Sequence, residues 1–353
     1  MSVGFTGLIV AMGLLAACSS PPKTLAPGES PDLVLVIADG VSSGASGASL
    51  SPGLTALAAS GVSFGGAWSA DAAAQKDHAL ALTSTWPVGL DRAPNSLPGV
   101  LSLYGYRVEA AVGPGFLAAA DGGLLDNFDV TRETDCGAAL TLPASEPWFL
   151  LVHQPAGCPA DDALTAVQEA LAAAGLTERA LVVFTGSASA DTLTPDSRVP
   201  LVIRDPRAAP SHAGTAYDQM GTTMDLMPTL LLAAGAVVPS DAWGASRLGA
   251  LRGEFPSRVA VFQRGPGVMG IRTGAHLLVM PEPDSAAGLP KRCEGGVLTP
   301  LADEAAPPGA GKRDTSALCD ALLAWRRGLE SDSARERMGS EAFGRMLREG
   351  GYW

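Results

Sequence analysis

Residues 31–40 read PDLVLVIADG, and the five consecutive apolar side chains of Leu33-Val34-Leu35-Val36-Ile37 leave no polar face. A strand of that kind is buried on both sides, as in a parallel sheet covered by helices. The run stops at Ala38-Asp39-Gly40, which sets a carboxylate at the carboxyl edge of the sheet, where open α/β folds bind their ligands. Downstream, Trp148 to Val152, Ala180 to Phe184 and Val199 to Ile203 are further apolar runs bounded by turn formers or polar loops, and they predict three more strands. Leu164, Val167 and Leu171 recur at helical spacing behind Asp161 and Asp162, whose carboxylates can cap the first turn. Asp225 to Gly235 places a capping residue first, Pro228 in the opening turn and glycine last, which predicts another helix.

Strands alternating with helices predict an α/β fold, a mostly parallel central sheet flanked by helices, over residues 31–255. Past Phe255 the pattern changes to hairpin-like runs at Val259 to Gln263, Val268 to Arg272 and Leu277 to Met280. These predict a small C-terminal antiparallel subdomain over 256–330, with helical stretches at 317–329 and 334–347 and a helical tail over 331–353. No internal repeat is visible.

The chain has 353 residues, enough for a real core, and a formal net charge of −12. Such a surface repels nucleic acid, so nucleic-acid binding is set aside. Residues 1–17 are apolar from Val3 to Ala17 without a charged side chain. That run is shorter than the ~20 residues a membrane span needs and reads as an export signal. Leu15-Ala16-Ala17-Cys18 resembles the lipobox of bacterial lipoproteins, in which the cysteine is acylated and becomes the mature N-terminus. Residues 18–30, rich in Pro and Ser, then form a flexible tether. The expected location is the cell envelope, lipid-anchored through Cys18 on a periplasmic or extracellular face. Ser19 does not resemble an inner-membrane retention signal, which points to the outer membrane. Four further cysteines, Cys136, Cys158, Cys293 and Cys319, are an even number in a compartment where disulfides persist. Of the three possible connectivities, local pairing of Cys136 with Cys158 and Cys293 with Cys319 closes one modest loop each and is favoured.

Several phrases in serial order resemble the sulfatase family of the alkaline phosphatase superfamily: PDLVLVIADG, LTALAASGVSFGGAWS, HALALTSTWP, LPGVLSLYGYRVEAAVG, PWFLLVH, ALVVFTG, RVPLVIRDP, DLMPTLLLAAG and MGIRTGAHLLV. The resemblance spans most of residues 31–328 and implies that family's fold, a divalent cation, usually calcium, and hydrolysis of sulfuric esters. It also implies specific side chains, and most are replaced. Asp39 matches the first of two paired metal-binding aspartates, but Gly40 stands where the second would be. Gly186-Ser187-Ala188-Ser189 stands where a later strand end carries further ligands. Ala74 falls on the nucleophile position, and Pro114, within Gly113-Pro114-Gly115-Phe116, on a sulfate-binding lysine. The family's Pro-His phrase falls within Gln154 to Cys158, leaving His153 nearby.

The remaining candidates are Lys76, Asp77 and His78 at the start of the helix, where a histidine beside an aspartate could serve as a general base, and His153 at a central strand end. Each also has a structural reading: Asp39 as a turn residue, Asp77 as a cap, Lys76 as a solvated cation and His153 as a core histidine. Ser42 to Ser49 form a small-residue loop without the order of a phosphate-binding motif, and Arg272 and Thr273 read as supports of the small subdomain. Two functions stay open. One is a non-catalytic sulfatase-like lipoprotein with no cofactor, binding an envelope protein or a sulfated or phosphorylated ligand. The other is a divergent sulfuric or phosphoric ester hydrolase, rebuilt on these residues with calcium or another divalent cation.

Overall fold

The computed structural model describes residues 29–43, 51–86, 95–114, 116, 124–145, 147–159, 161–187, 193–194, 197–252, 260–284, 288–293, 295–301 and 310–329. Cys18, the proposed signal and most of the tether, residues 44–49 of the serine-rich loop and the 331–353 tail lie outside them. The strands of the large sheet are β1 (Asp32–Asp39), β2 (Val62–Phe64), β4 (Arg107–Val112), β5 (Val130–Glu133), β6 (Trp148–Gln154), β7 (Ala180–Ser187), β8 (Leu201–Arg204) and β9 (Thr215–Tyr217). They lie in the order β5-β4-β6-β1-β7-β8-β2-β9. From β5 to β7 every neighbour is parallel, whereas β8 runs antiparallel to both β7 and β2. A two-residue pair, β3 (Ala67–Trp68) with β10 (Gly221–Thr222), forms a separate ribbon.

The apolar run that opens the fold divides its side chains between two helical layers, as strand alternation requires. Leu33, Leu35 and Ile37 share a core with helices α3 (Leu97–Leu103) and α5 (Leu226–Ala233), and with Ala81 and Leu82 of α2 (Ala74–Thr83). Val34, Val36 and Ala38 pack with α1 (Pro52–Ser60) and α4 (Asp162–Ala174) on the other face. At the carboxyl edge the chain turns sharply: Gly40 has φ +73°, and a Cβ on Gly186 would stand 2.0 Å from the Val41 carbonyl oxygen. Glycine at both positions lets the loop after β1 press against the end of β7.

Two capping expectations are corrected. Asp161 does not cap its own helix; its carboxylate accepts from the Ser51 hydroxyl and from the amides of Gly53 (2.9 Å) and Leu54 (3.2 Å), so it caps α1 from across the chain. Asp225 stands at the N-cap position of α5 but makes no side-chain cap bond there, because its carboxylate serves the short 3₁₀ turn that it ends. It accepts from the Thr222 amide at 3.0 Å in a capping box and pairs with buried Arg247. The helix does end at a left-handed glycine, Gly235.

The small subdomain is a four-stranded antiparallel sheet, β11 (Ala260–Gly265), β12 (Val268–Thr273), β13 (His276–Pro281) and β14 (Val297–Pro300), backed by α6 (Ala310–Gly328). Its core joins Met269, Ile271, Leu278, Leu318, Leu322 and Trp325 to Leu80 of α2 and to Trp86. Arg272 is buried. It donates to Gln263 (2.8 Å) and to Ser197 (3.2 Å), and its guanidinium stacks 5.1 Å over the Trp68 ring. Both disulfides pair locally, Cys136 with Cys158 and Cys293 with Cys319.

Candidate functional site

The parallel register of β1 and β6 sets Ile37 beside His153, so Asp39, two residues further on, stands at the edge just beyond that imidazole. His78 reaches the same point from α2. The His78 Nε2 lies 2.7 Å from Asp39 Oδ1 and the His153 Nε2 lies 3.1 Å from Asp39 Oδ2. Three residues far apart in the chain thus meet at the strand end, with one ligand atom from each within 4.8 Å of the others.

Burial sets the chemistry of this cluster. The side chains of His78 and His153 are 4 % and 1 % exposed and that of Asp39 14 %. Phe116, itself buried, stacks on the His78 ring at 4.9 Å and lies tilted against the His153 ring at 4.7 Å. Burial alone would raise the Asp39 carboxyl. Hydrogen bonds from His153 and His78, with their charge, outweigh it and hold the group far below the ordinary carboxylate range. Burial also pushes His78 below the usual imidazole value, and Asp39 opposes this. An ionised carboxylate can only accept, so each imidazole donates from Nε2. Both Nδ1 atoms are buried and have no hydrogen-bond partner among the described residues.

The cluster of Lys76, Asp77 and His78 does not act as one. Neighbours on a helix point apart, and the partner of His78 is Asp39 rather than Asp77. Asp77 Oδ1 accepts from the Ala70 amide (2.8 Å), the Asp71 amide (3.2 Å) and the Thr223 hydroxyl (2.5 Å), which ties α2 to the segment before it. Complete burial pushes the Asp77 carboxyl up to about 7 against the pull of those donors. Lys76 is exposed. Ala74 is the first residue of α2, one helical turn before His78 and on the same face. Gln154 points away to hold α4, accepting from the Ala163 amide at 2.8 Å, and Cys158 is in a disulfide.

Calcium takes six to eight oxygen ligands. Among the described residues one carboxylate stands with two imidazole nitrogens, and Gly40 and Gly186 offer no side-chain oxygen, so this donor set does not fit calcium.

No family model matches the sequence, and neither does any curated protein. Solved structures do match in fold. A protein solved in complex with its substrate D-glucosamine-2-N,6-O-disulfate superposes with TM-score 0.64 at 13 % identity, covering 88 % of this chain and 100 % of that one. The chain has a sulfatase-like fold. The phosphonate monoester hydrolase of Agrobacterium radiobacter shares this sulfatase-like fold at TM-score 0.57 and 16 % identity, over 91 % of this chain and 96 % of the other. So does an alkaline phosphatase superfamily protein from Vibrio parahaemolyticus, at TM-score 0.53 and 15 % identity over 80 % and 85 %. At such identities the likeness establishes architecture alone. Within this sulfatase-like fold, Asp39, His78 and His153 are legible in the sequence as candidates, whereas the cover that Phe116 provides is not. An aromatic residue after Gly113-Pro114 carries no signal of what it will stack on.

Proposed function

We propose that this chain is a sulfatase-like lipoprotein of the cell envelope that binds a ligand or partner without hydrolysing an ester. The observation that carries the reading is Ala74 at the head of α2, a methyl group where a nucleophile would be needed, one turn before His78. Losing a nucleophile costs roughly a millionfold in rate where catalytic groups act together. The two histidines that could serve as bases are turned onto Asp39 beneath Phe116. Lipidation on Cys18 would hold the domain at the membrane, with an envelope protein or a sulfated or phosphorylated molecule as the bound partner.

The test is turnover of aryl sulfates, phosphate monoesters and diesters, and phosphonates by the signal-less protein with calcium, magnesium, manganese or zinc. No rate above buffer is expected. Turnover that disappears in Asp39→Ala would overturn the proposal and favour the second reading, a divergent ester hydrolase, whose support is the convergence of Asp39, His78 and His153. The anchor is tested separately: a fatty-acid label should enter the full chain and be lost in Cys18→Ser.

A further inference from the structure

The geometry points to a site for a zinc-type divalent transition metal, ligated by the Asp39 carboxylate and the Nε2 atoms of His78 and His153. Two imidazoles and one carboxylate suit zinc and its neighbours, which accept nitrogen, and not calcium or magnesium, which demand oxygen. Ligands at ~2.0–2.1 Å from a tetrahedral centre stand about 3.3 Å from one another. His78 Nε2 stands 2.7 Å from Asp39 Oδ1 and His153 Nε2 3.1 Å from Oδ2, about 0.6 and 0.2 Å short of that edge, and the three ligand atoms lie within 4.8 Å of one another, so small side-chain shifts would admit the metal.

Among the described residues neither buried Nδ1 atom has a hydrogen-bond partner, and this holds whether Nε2 carries a proton or a metal, so both imidazoles are free to change tautomer. A neutral imidazole that binds metal at Nε2 gives up the proton there and takes one at Nδ1, so no net proton or electron is consumed. The carboxylate charge then faces a cation rather than two hydrogen-bond donors. The surroundings are already fixed: His78 on α2, His153 in the middle of the sheet, and Phe116 packed on both rings. Ligands held in place by packing lose little freedom on binding.

This site does not depend on the proposed function. Zinc bound without turnover leaves that function standing, whereas turnover with zinc would overturn it and keep the site. The signal-less protein, stripped by chelator and dialysed against zinc, should retain about one zinc per chain by elemental analysis and melt a few degrees higher. It should show no rise with calcium. Cobalt in its place should give visible absorption bands of nitrogen and oxygen coordination. Asp39→Asn and His78→Gln, each checked for cooperative melting, should lose both the metal and the rise. Less than about a tenth of a zinc per chain in the unaltered protein, or full retention in a folded Asp39→Asn, His78→Gln double variant, would overturn the assignment; both readouts follow the site ligands.

Discussion

Asp77 shows how one buried side chain can set a pH dependence. Its carboxyl, pushed up to about 7 in the folded protein, releases its proton near pH 4 in an unfolded chain. Between those values the folded state binds more protons, so this residue makes stability fall as pH rises from about 4 to about 7. Asp77→Asn keeps an oxygen acceptor for the Ala70 and Asp71 amides and cannot ionise. Urea unfolding across that range should therefore show the variant gaining on the unaltered protein by an amount on the order of a few kcal/mol as pH rises. A difference that stays constant with pH would show that Asp77 is ionised throughout. The same residue marks the limit of reading by adjacency. Asp77 and His78 are neighbours in the sequence and look like a pair, yet the helix sends one into the Thr223 network and the other to Asp39. Asp39 and His153 were legible because each ends or nearly ends an apolar strand run, which places both at one sheet edge. Nothing in the spacing of residues 39, 78 and 153 says that the three side chains touch.

At the scale of elements, helix ends were misread where the capping group came from a distance. Asp161 looks like the cap of the helix it precedes, but Gln154 serves the Ala163 amide while Asp161 serves α1. Asp161→Ala should cost about 0.5–2 kcal/mol, the usual worth of a cap. Hydrogen exchange should quicken at the Gly53 and Leu54 amides and stay unchanged within α4. Exchange loosened in α4 instead would restore the local reading. Strands β1, β6, β7 and β8 of the large sheet were legible from unbroken apolar runs, but their directions were not: β8 is as apolar as β7 and runs antiparallel to it. The edge strand β14 lies in a stretch of glycine and proline and has exposed or half-exposed side chains, so no pattern announces it.

Across the whole molecule, α2 is one of the links between the large sheet and the small subdomain. Ala81 and Leu82 of α2 enter the core of the large sheet, while Leu80 enters the core built by β12, β13 and α6. The Cys293–Cys319 bridge fastens α6 to the loop before β14, and Trp325 stacks 4.9 Å from Phe262 and meets Trp86 edge to face at 5.1 Å. Replacing both cysteines by serine should cost ~3 kcal/mol, as expected for opening a loop of this size. The loss should appear as a lower melting temperature, with Trp325 emission, taken as the difference from Trp325→Phe, shifting red before the large sheet melts. A single transition unchanged from the unaltered protein would show that packing alone holds α6. The shared wall also bears on the order in which the molecule can be made. The chain that leaves the ribosome first contains α2, but the side chains that cover Leu80 and Trp86 arrive only with β12, β13 and the last described helix. Until then a nascent chain carries an open apolar seam beside the very helix that presents His78, which favours handling by holdase chaperones and late, all-at-once closure over gradual maturation.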